Sequence, residues 1–416
     1  MRDFTFNNPT KYVLGVDSVR GSLGKELKNH GFSKPMLHFG SGSIKANGAY
    51  DDVVGSLQEA GIEWVEAGGQ KPNPRVEICR ECIKQYKAEG CDVIVAVGGG
   101  SIVDSAKCIA VGVNLEEGED VWGVWAGTTT ATSGAPIFVV LTLSATASEM
   151  NNGAVITNMA LKQKYAYGDS FNMPVVSFVD PKYQVTLPKW QTVNGAVDTI
   201  THLTEFAFMA ASATAKDGLP NTSLHMIEAL IKSQIENCDA LLEDPTNIAR
   251  RADFAWAATC GLNQMTDCML GGGDWCVHML EHAMSAVSFN LSHGAGLGVV
   301  LPGYLRFCDK VAKGEVTRPE GRPQPECLKE FLARYCKNVF GADSVEDAIT
   351  AWKAILARWG HPTNMSEIFA VYDDIKDTNM DETLDQMTDI TVGRGFTGQL
   401  LFPCKEEVRQ IYELAK

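Results

Sequence analysis

The length, composition and charge of the chain already narrow the classes of protein to which it can belong. Its 416 residues suit two or three packed domains, and 45% hydrophobic with 21% charged residues is an ordinary globular balance. The net charge of −15 excludes the basic face that nucleic acids require and disfavours anionic membranes. The twelve cysteines are scattered, and no apolar run has the length of a membrane span or the place of a secretory signal. We therefore expect a cytoplasmic protein without nucleic-acid or membrane partners.

The first part of the chain, residues 1–185, alternates short β-branched runs with amphipathic segments. This alternation is typical of a parallel sheet whose strands are joined by helices. The expected strands are Met36–Phe39, Ile62–Glu66, Val93–Val97, Ile137–Leu143 and Val175–Val179. The clearest helices between them are Ala49–Ala60 and Val76–Glu89. We predict a Rossmann-like α/β domain over residues 1–185.

From residue 186 onward the apolar residues recur at helical spacing, and strand-like runs are few. The clearest helices are Thr222–Asn237, Ile248–Leu262, Trp275–Val287 and Val345–Arg358. The segment 313–325 is rich in charge, glycine and proline and is predicted to be a surface loop. We predict that an all-helical domain, residues 186–416, follows the α/β domain.

A glycine loop follows the strand-like run that ends at Val97: Gly98, Gly99, Gly100 and Ser101. Three glycines let the backbone turn sharply and approach a bulky group, and the start of the next helix suits a pyrophosphate. We predict Ser101 as the N-cap of that helix, with Asp104 at its third position. Because Val103 stands where G-x-G-x-x-G has its third glycine, a tight turn without a ligand is the alternative.

A second loop of small residues follows the predicted strand Met36–Phe39 and consists of Gly40, Ser41, Gly42 and Ser43, with Lys45 close behind. In dinucleotide sites an acidic residue at this place binds the ribose 2′-hydroxyl of NAD. This loop has no carboxylate, and Lys45 would favour a 2′-phosphate. The loop therefore favours NADP(H) over NAD(H), with a simple turn as the alternative.

Histidines and one aspartate occur at spacings that are typical of a metal site. Three of the eight histidines, His278, His282 and His293, fall within sixteen residues, and Asp198 precedes His202 by four. Residues four apart on a helix share one face, so each pair can aim at one point. Three imidazoles and one carboxylate suit Fe²⁺ or Zn²⁺ and leave a position for a substrate oxygen. A surface ion pair and ordinary core histidines are the alternative; no H-E-x-x-H motif indicates a protease.

Taken together, these motifs resemble those of the iron-containing (group III) alcohol dehydrogenases. The matching parts are Gly98–Lys107, Thr142–Glu149, Asp198-x-x-x-His202, His278-x-x-x-His282 and His293-Gly294. The resemblance covers nearly the whole chain and points to the butanol dehydrogenase-like branch, many of whose members use NADPH. It implies an architecture like that of dehydroquinate synthase, and a homodimer. Family members commonly have proline at the position of Ser144 and glycine at that of Ala147.

The resemblance also implies a role for each matching residue. The metal ligands would be Asp198, His202, His278 and His293, while His282 would lie near the metal and could transfer a proton. Gly98 to Ser101 would hold the cofactor pyrophosphate, and Gly40 to Ser43 would face the adenosine 2′ position. The nicotinamide and phosphate side would be lined by Thr142, Thr146, Asn151 and Lys164.

The implied reaction interconverts primary alcohols and aldehydes, of which butanol and butyraldehyde are representative. The metal would polarise the substrate oxygen while NADP(H), with NAD(H) as the alternative, exchanges a hydride with the carbon. Two other functions are compatible with the same residues. One is a lyase or cyclase of the dehydroquinate synthase type, which uses nicotinamide transiently. The other is a metal-dependent hydrolase or metal-stabilised binding protein whose glycine loops are only turns.

Overall fold

The computed structural model describes residues 3–416, and the chain forms two compact units over this range. An α/β unit consists of Asn7–Pro188 together with Glu243–Asn263. A helical unit consists of residues 3–6, Lys189–Leu242 and Gln264–Lys416. A parallel-sheet region followed by a helical region was the fold class expected from the sequence, and this is confirmed.

The strands all belong to the α/β unit. In chain order they are β1 (Lys11–Leu14), β2 (Pro35–Phe39), β3 (Val65–Ala67), β4 (Val93–Gly98), β5 (Ile137–Leu141), β6 (Gly153–Asn158), β7 (Gln163–Gly168) and β8 (Val176–Val179). Six of them form one sheet in the order β1-β8-β5-β4-β2-β3, in which every neighbouring pair is parallel. β6 and β7 form a separate antiparallel hairpin. The carboxyl ends of β2, β4 and β5 therefore meet at one edge of the sheet.

The helices divide between the two units. The first six are α1 (Ser18–Asn29), α2 (Ser43–Ala46), α3 (Ala49–Ala60), α4 (Val76–Glu89), α5 (Gly100–Val113) and α6 (Trp122–Trp125). The remaining helices are α7 (Lys189–Met209), α8 (Asn221–Glu243), α9 (Ile248–Cys260), α10 (Cys276–Val287), α11 (His293–Ala312), α12 (Leu328–Phe340), α13 (Val345–Arg358), α14 (Met365–Val371), α15 (Met380–Gly393) and α16 (Lys405–Leu414). Although α9 lies within residues 186–416, it packs in the α/β unit. Among residues 3–416, no helix has both the length and the hydropathy needed to cross a bilayer.

The sheet is buried on both faces, which explains why its central strands are continuous apolar runs rather than alternating ones. In β4, Ile94 and Ala96 belong to one apolar cluster, which also contains side chains of α4 and α5. Val93, Val95 and Val97 belong to a second cluster, shared with α1 and α3. The alternation of β4 between the two clusters fixes its register and places the glycines that follow at the sheet edge.

The helical unit is built around α7, which is buried almost without interruption from Thr192 to Met209. α11 packs against both α7 and α10. Together, these three helices position the metal-binding candidates described below.

Candidate functional site

The four predicted metal ligands converge at one point in the helical unit. Asp198 and His202 lie one turn apart on α7, His278 lies in the first turn of α10, and His293 begins α11. The Asp198 Oδ1 atom is 3.7 Å from His202 Nε2, 3.7 Å from His278 Nε2 and 3.6 Å from His293 Nε2. The side chains of the first three are 4–7% exposed, whereas that of His293 is 26% exposed. Ligand atoms of Asp198, His278 and His293 lie within 4.8 Å of one another, and His202 adjoins this group through Asp198, with His293 on the accessible side.

The residues present fit a divalent cation. Four ligands at about 2.1 Å from a tetrahedral ion are about 3.4 Å from one another, close to the 3.6–3.7 Å between Asp198 Oδ1 and each of the three imidazoles. Asp198 Oδ1 and His278 Nε2 are buried and have no hydrogen-bond partner among the described residues. A buried carboxylate oxygen and imidazole nitrogen without partners are costly, and a bound cation satisfies both.

Two buried glutamates, neither of which belongs to the motifs singled out in the sequence, orient the imidazoles. Glu205 Oε2 is hydrogen-bonded to His278 Nδ1, and Glu281 Oε2 to His293 Nδ1. The second oxygen of Glu205 accepts from Val277 N at 2.7 Å. A carboxylate behind a metal-binding histidine fixes its tautomer and directs Nε2 toward the ion. The available signal was the spacing, since each glutamate lies three residues beyond a proposed ligand on the same helix.

The charges around the cluster favour the protonation states that bind a cation. Burial opposes ionisation of Asp198, but the surrounding imidazoles outweigh it and lower the carboxyl pKa. Burial, partly offset by Asp198, lowers the pKa of His202 to about 3. Burial would also lower the pKa of His278, but Glu205 and Asp198 together raise it to about 10. At neutral pH, Asp198 is therefore ionised and His202 is neutral, while a proton must leave His278 when a cation binds.

His282 lies beside the cluster without belonging to the Asp198 group. Its ring centroid is 5.5 Å from that of His293 and 6.3 Å from that of His278, and the residue is 4% exposed. Ligand atoms of Glu281, His282 and His293 also lie within 4.8 Å of one another. Because Glu281 is hydrogen-bonded to His293 and Ser285, its carboxylate serves to orient those side chains.

The glycine loop lies in the α/β unit, where β4 ends at Gly98 and α5 begins at Gly100. A Cβ atom on Gly100 would lie 2.4 Å from Thr146 Oγ1, so only glycine allows the two loops to approach this closely. The start of α5 presents backbone N–H groups, as a pyrophosphate requires. The N-cap is Gly99 rather than the predicted Ser101, which lies inside the first turn. The predicted N-cap is wrong because α5 begins at Gly100, one residue before Ser101.

The second small-residue loop lies next to the first, since β2 and β4 are neighbours in the sheet. A Cβ on Gly40 would be 3.4 Å from Ile102 Cδ1 at the start of α5. Ser41, Gly42 and Ser43 are exposed, and Gly42 caps α2. On α2, the Lys45 ammonium lies 4.6 Å from the centre of the Tyr50 ring. The structure therefore brings Gly40 to the glycine loop and leaves the serines open to solvent.

The loop after β5 is held together by a buried lysine that the sequence argument overlooked. Lys107 Nζ donates to Ser148 Oγ and to the backbone oxygens of Asn151 and Gly153, each at 2.8 Å. Asp104 Oδ1 accepts from Ser148 Oγ at 2.6 Å. Asp104 thus braces this loop, which corrects the predicted role as a helix cap.

The predicted cofactor residues Thr142, Thr146, Asn151 and Lys164 lie around the hydrogen bonds made by Lys107 and Asp104. Thr142 N donates to Gly98 O at 2.9 Å, and Thr146 packs on Gly100. The Asn151 side-chain amide is engaged within the loop, since its Nδ2 donates to Ala147 O at 2.9 Å. Lys164 lies on β7 and is 7% exposed; burial raises the pKa of Asp104, and Lys164 is one of the groups that oppose this rise. Ala147 has a φ of 51°, a left-handed conformation that glycine adopts without strain and alanine rarely does.

Comparison with known proteins places both parts of the chain in one family. Residues 9–181 match the family described as iron-containing alcohol dehydrogenase, and residues 192–415 match the carboxy-terminal part of the Fe-containing alcohol dehydrogenase family. A probable NADH-dependent butanol dehydrogenase 1 of Bacillus subtilis is 34% identical over 415 residues, covering 99% of each chain. The NADPH-dependent aldehyde reductase YqhD of Escherichia coli is 31% identical, covering 88% of this chain and 89% of its own.

A solved structure gives the same answer for the whole fold. The NADH-dependent butanol dehydrogenase A of Thermotoga maritima superposes with a TM-score of 0.87 at 35% identity. The match covers 100% of this chain and 99% of that one. The family that the sequence motifs indicated is therefore confirmed, and with it an enzyme of the alcohol dehydrogenase and aldehyde reductase class. The chain belongs to the iron-containing alcohol dehydrogenase family.

Proposed function

We propose that the protein is a metal-dependent oxidoreductase that uses NADP(H) to interconvert primary alcohols and aldehydes, with butanol and butyraldehyde as representative substrates. The observation that carries the proposal is the buried convergence of Asp198, His202, His278 and His293. The names of the relatives, which include butanol dehydrogenases and an aldehyde reductase, support this substrate class.

The proposed division of labour follows from the contacts in the helical unit. A bound Fe²⁺ or Zn²⁺ would act as a Lewis acid on the substrate oxygen, and the nicotinamide would supply the hydride. Glu205 and Glu281 hold the Nδ1 atoms of His278 and His293, so that both present Nε2 to the ion. His282, beside His293, is proposed to deliver the proton that the oxygen of the product alcohol requires.

The proposed cofactor site uses residues of the α/β unit. The backbone N–H groups at the start of α5, within Gly98 to Ser101, would bind the pyrophosphate. Thr142, Thr146, Asn151 and Lys164 are proposed to line the nicotinamide and phosphate side. The loop of Gly40 to Ser43 is proposed to receive the adenosine 2′ position.

The preference for NADP(H) is proposed from this last loop, since the relatives include both NADH- and NADPH-dependent enzymes by name. We expect Ser41→Asp to raise the KM for NADPH about fivefold or more. A carboxylate about 4 Å from a 2′-phosphate is repelled by about 1–4 kcal/mol near a protein surface. Steady-state kinetics with NADPH and NADH as the varied substrates measure the change.

A matched control is Ser133→Asp, because Ser133 is exposed and is bonded to Asn114, which follows the last turn of α5. This variant should keep the KM for NADPH of the unaltered protein. The NADP(H) assignment is wrong if the unaltered protein has the higher kcat/KM with NADH and S41D leaves the KM for NADPH unchanged.

The overall proposal is tested by removing and restoring the metal. The protein is treated with a chelator, refilled separately with Fe²⁺ or Zn²⁺, and assayed for NADPH oxidation with butyraldehyde. We expect no turnover without metal, and one NADPH consumed for each aldehyde reduced after refilling. A nucleotide requirement without net consumption would instead support the lyase or cyclase, and absence of any NADPH binding would support the hydrolase or binding protein.

The functional assignment of the two domains, dinucleotide binding by residues 1–185 and metal binding with catalysis by residues 186–416, is part of the same proposal. The homodimer and the cytoplasmic location remain predictions from the sequence.

A further inference from the structure

The proposed ligand His202 is oriented differently from its two partners. The Nδ1 atoms of His278 and His293 are each hydrogen-bonded to a buried glutamate. The Nδ1 atom of His202 is buried and has no hydrogen-bond partner among residues 3–416. Metal-binding histidines almost always have such a partner, which sets the rotation of the ring. Within residues 3–416, the orientation of the His202 ring therefore depends on its packing rather than on a hydrogen bond at Nδ1.

Aromatic packing surrounds the ring of His202. The ring lies parallel to that of His278, with centroids 4.6 Å apart and planes 16° from each other. The indole of Trp275 is nearly perpendicular to both, at 6.0 Å and 74° from His202 and at 5.4 Å and 82° from His278. Perpendicular aromatic pairs at such distances are attractive and directional. The indole thus contacts both imidazoles and restricts the rotation of each.

Trp275 is itself held in place by an unusual backbone. Its φ is 63°, a left-handed conformation that a bulky residue rarely adopts, and it occupies the N-cap of α10 without capping it. A Cβ on Gly273 would be 2.7 Å from Trp275 Cε2, so the indole lies directly over the backbone there. The backbone is also fixed on either side of Trp275. Asp274 Oδ1 accepts from Leu400 N at 2.7 Å, and the N–H of Val277 donates to Glu205. Strain of this kind persists where the surrounding structure enforces it, often at functional sites.

We propose that Trp275 is a positioning residue that fixes the His202 imidazole for the metal, in place of the carboxylate that His278 and His293 each have. The inference rests on the proposed metal site. The indole is in turn packed against the ring of Phe206, which is 2% exposed and has its centroid 5.4 Å from that of Trp275.

The test compares Co²⁺ binding by full-length variants. Trp275→Leu removes the flat ring, Trp275→Phe keeps an aromatic ring, and Trp256→Leu is a control at a 45% exposed tryptophan of α9. The dissociation constant is measured by competition with a chelator, the ligand geometry by the Co²⁺ d–d absorption bands, and the fold by the melting temperature. If Trp275→Leu does not fold, Trp275→Met repeats the comparison with a flexible side chain.

We expect W275L to raise the Co²⁺ dissociation constant about 10- to 100-fold, as changes behind metal ligands do, and to shift the d–d bands. W275F and W256L should keep the dissociation constant and bands of the unaltered protein. Wild-type-like binding and bands in W275L, or equal losses in W275F and W275L, would overturn the inference alone. Failure of the unaltered protein to bind Co²⁺ would overturn the proposed metal site together with the inference.

Discussion

Replacing Asp198 by asparagine is expected to lower kcat/KM for butyraldehyde reduction by about 10³-fold or more. Asparagine keeps the shape of the side chain but removes the only negative charge among the four proposed ligands. Polarisation by a metal contributes several kcal/mol, and each 1.4 kcal/mol is a factor of ten in rate. Metal content after dialysis, measured by mass spectrometry, should fall together with activity.

The matched control is Asp343→Asn in the same helical unit. Asp343 has an 85% exposed side chain and forms a surface ion pair with Lys337, so this variant should keep both metal and activity. A D198N protein that retained one metal per chain and full activity would show that the cation is bound elsewhere.

Replacing Lys107 by methionine is expected to lower the free energy of unfolding by about 3–5 kcal/mol, the usual cost of removing one partner of a buried charge pair. The residue is fully buried, and its ammonium donates to Ser148, Asn151 and Gly153. Burial, partly offset by Asp104, lowers the pKa of Lys107 to about 8, so the group is still charged at pH 7. Methionine would leave these acceptors and the Asp104 carboxylate without their cation. Urea unfolding at pH 7 measures the loss.

Lys87→Met, at an exposed position of α4, controls for the change of residue type and should alter stability little. An unchanged urea midpoint for K107M would mean that the loop after β5 does not depend on the hydrogen bonds of Lys107.

Because this loop carries Thr142, Thr146 and Asn151, K107M should also weaken NADPH binding.

The sequence predicted best those helices whose own apolar periodicity is enough to define where they begin and end. The observed bounds of α3, α4 and α13 are those expected from apolar periodicity. β1 was not predicted, because four residues at a sheet edge carry little pattern and pair with β8, some 165 positions away. The hairpin of β6 and β7 was missed for a related reason, since Gln163–Gly168 is polar enough to pass for a loop. In place of the expected strand Ile62–Glu66, the structure has a shorter strand that begins later in the chain, Val65–Ala67.

For the site, the sequence contained the spacing of the ligands but little about what surrounds them. Asp198 and His202 are four apart on one helix, so their shared face is a local property. The pairing of Glu205 with His278 joins residues 73 positions apart, and only the packing of α7 with α10 reveals it. The sequence analysis gave Lys107 no role of its own, and its burial follows from the loop after β5 folding over α5.

The most direct test of the proposed metal site is anomalous X-ray scattering from crystals of the Fe²⁺- or Zn²⁺-loaded protein, measured at the absorption edge of the metal. The account predicts one strong peak per chain, about 2.0–2.2 Å from Asp198 Oδ1 and from the Nε2 atoms of His202, His278 and His293. A peak bound instead by Glu281 and His282, or no peak in the helical unit, would contradict it.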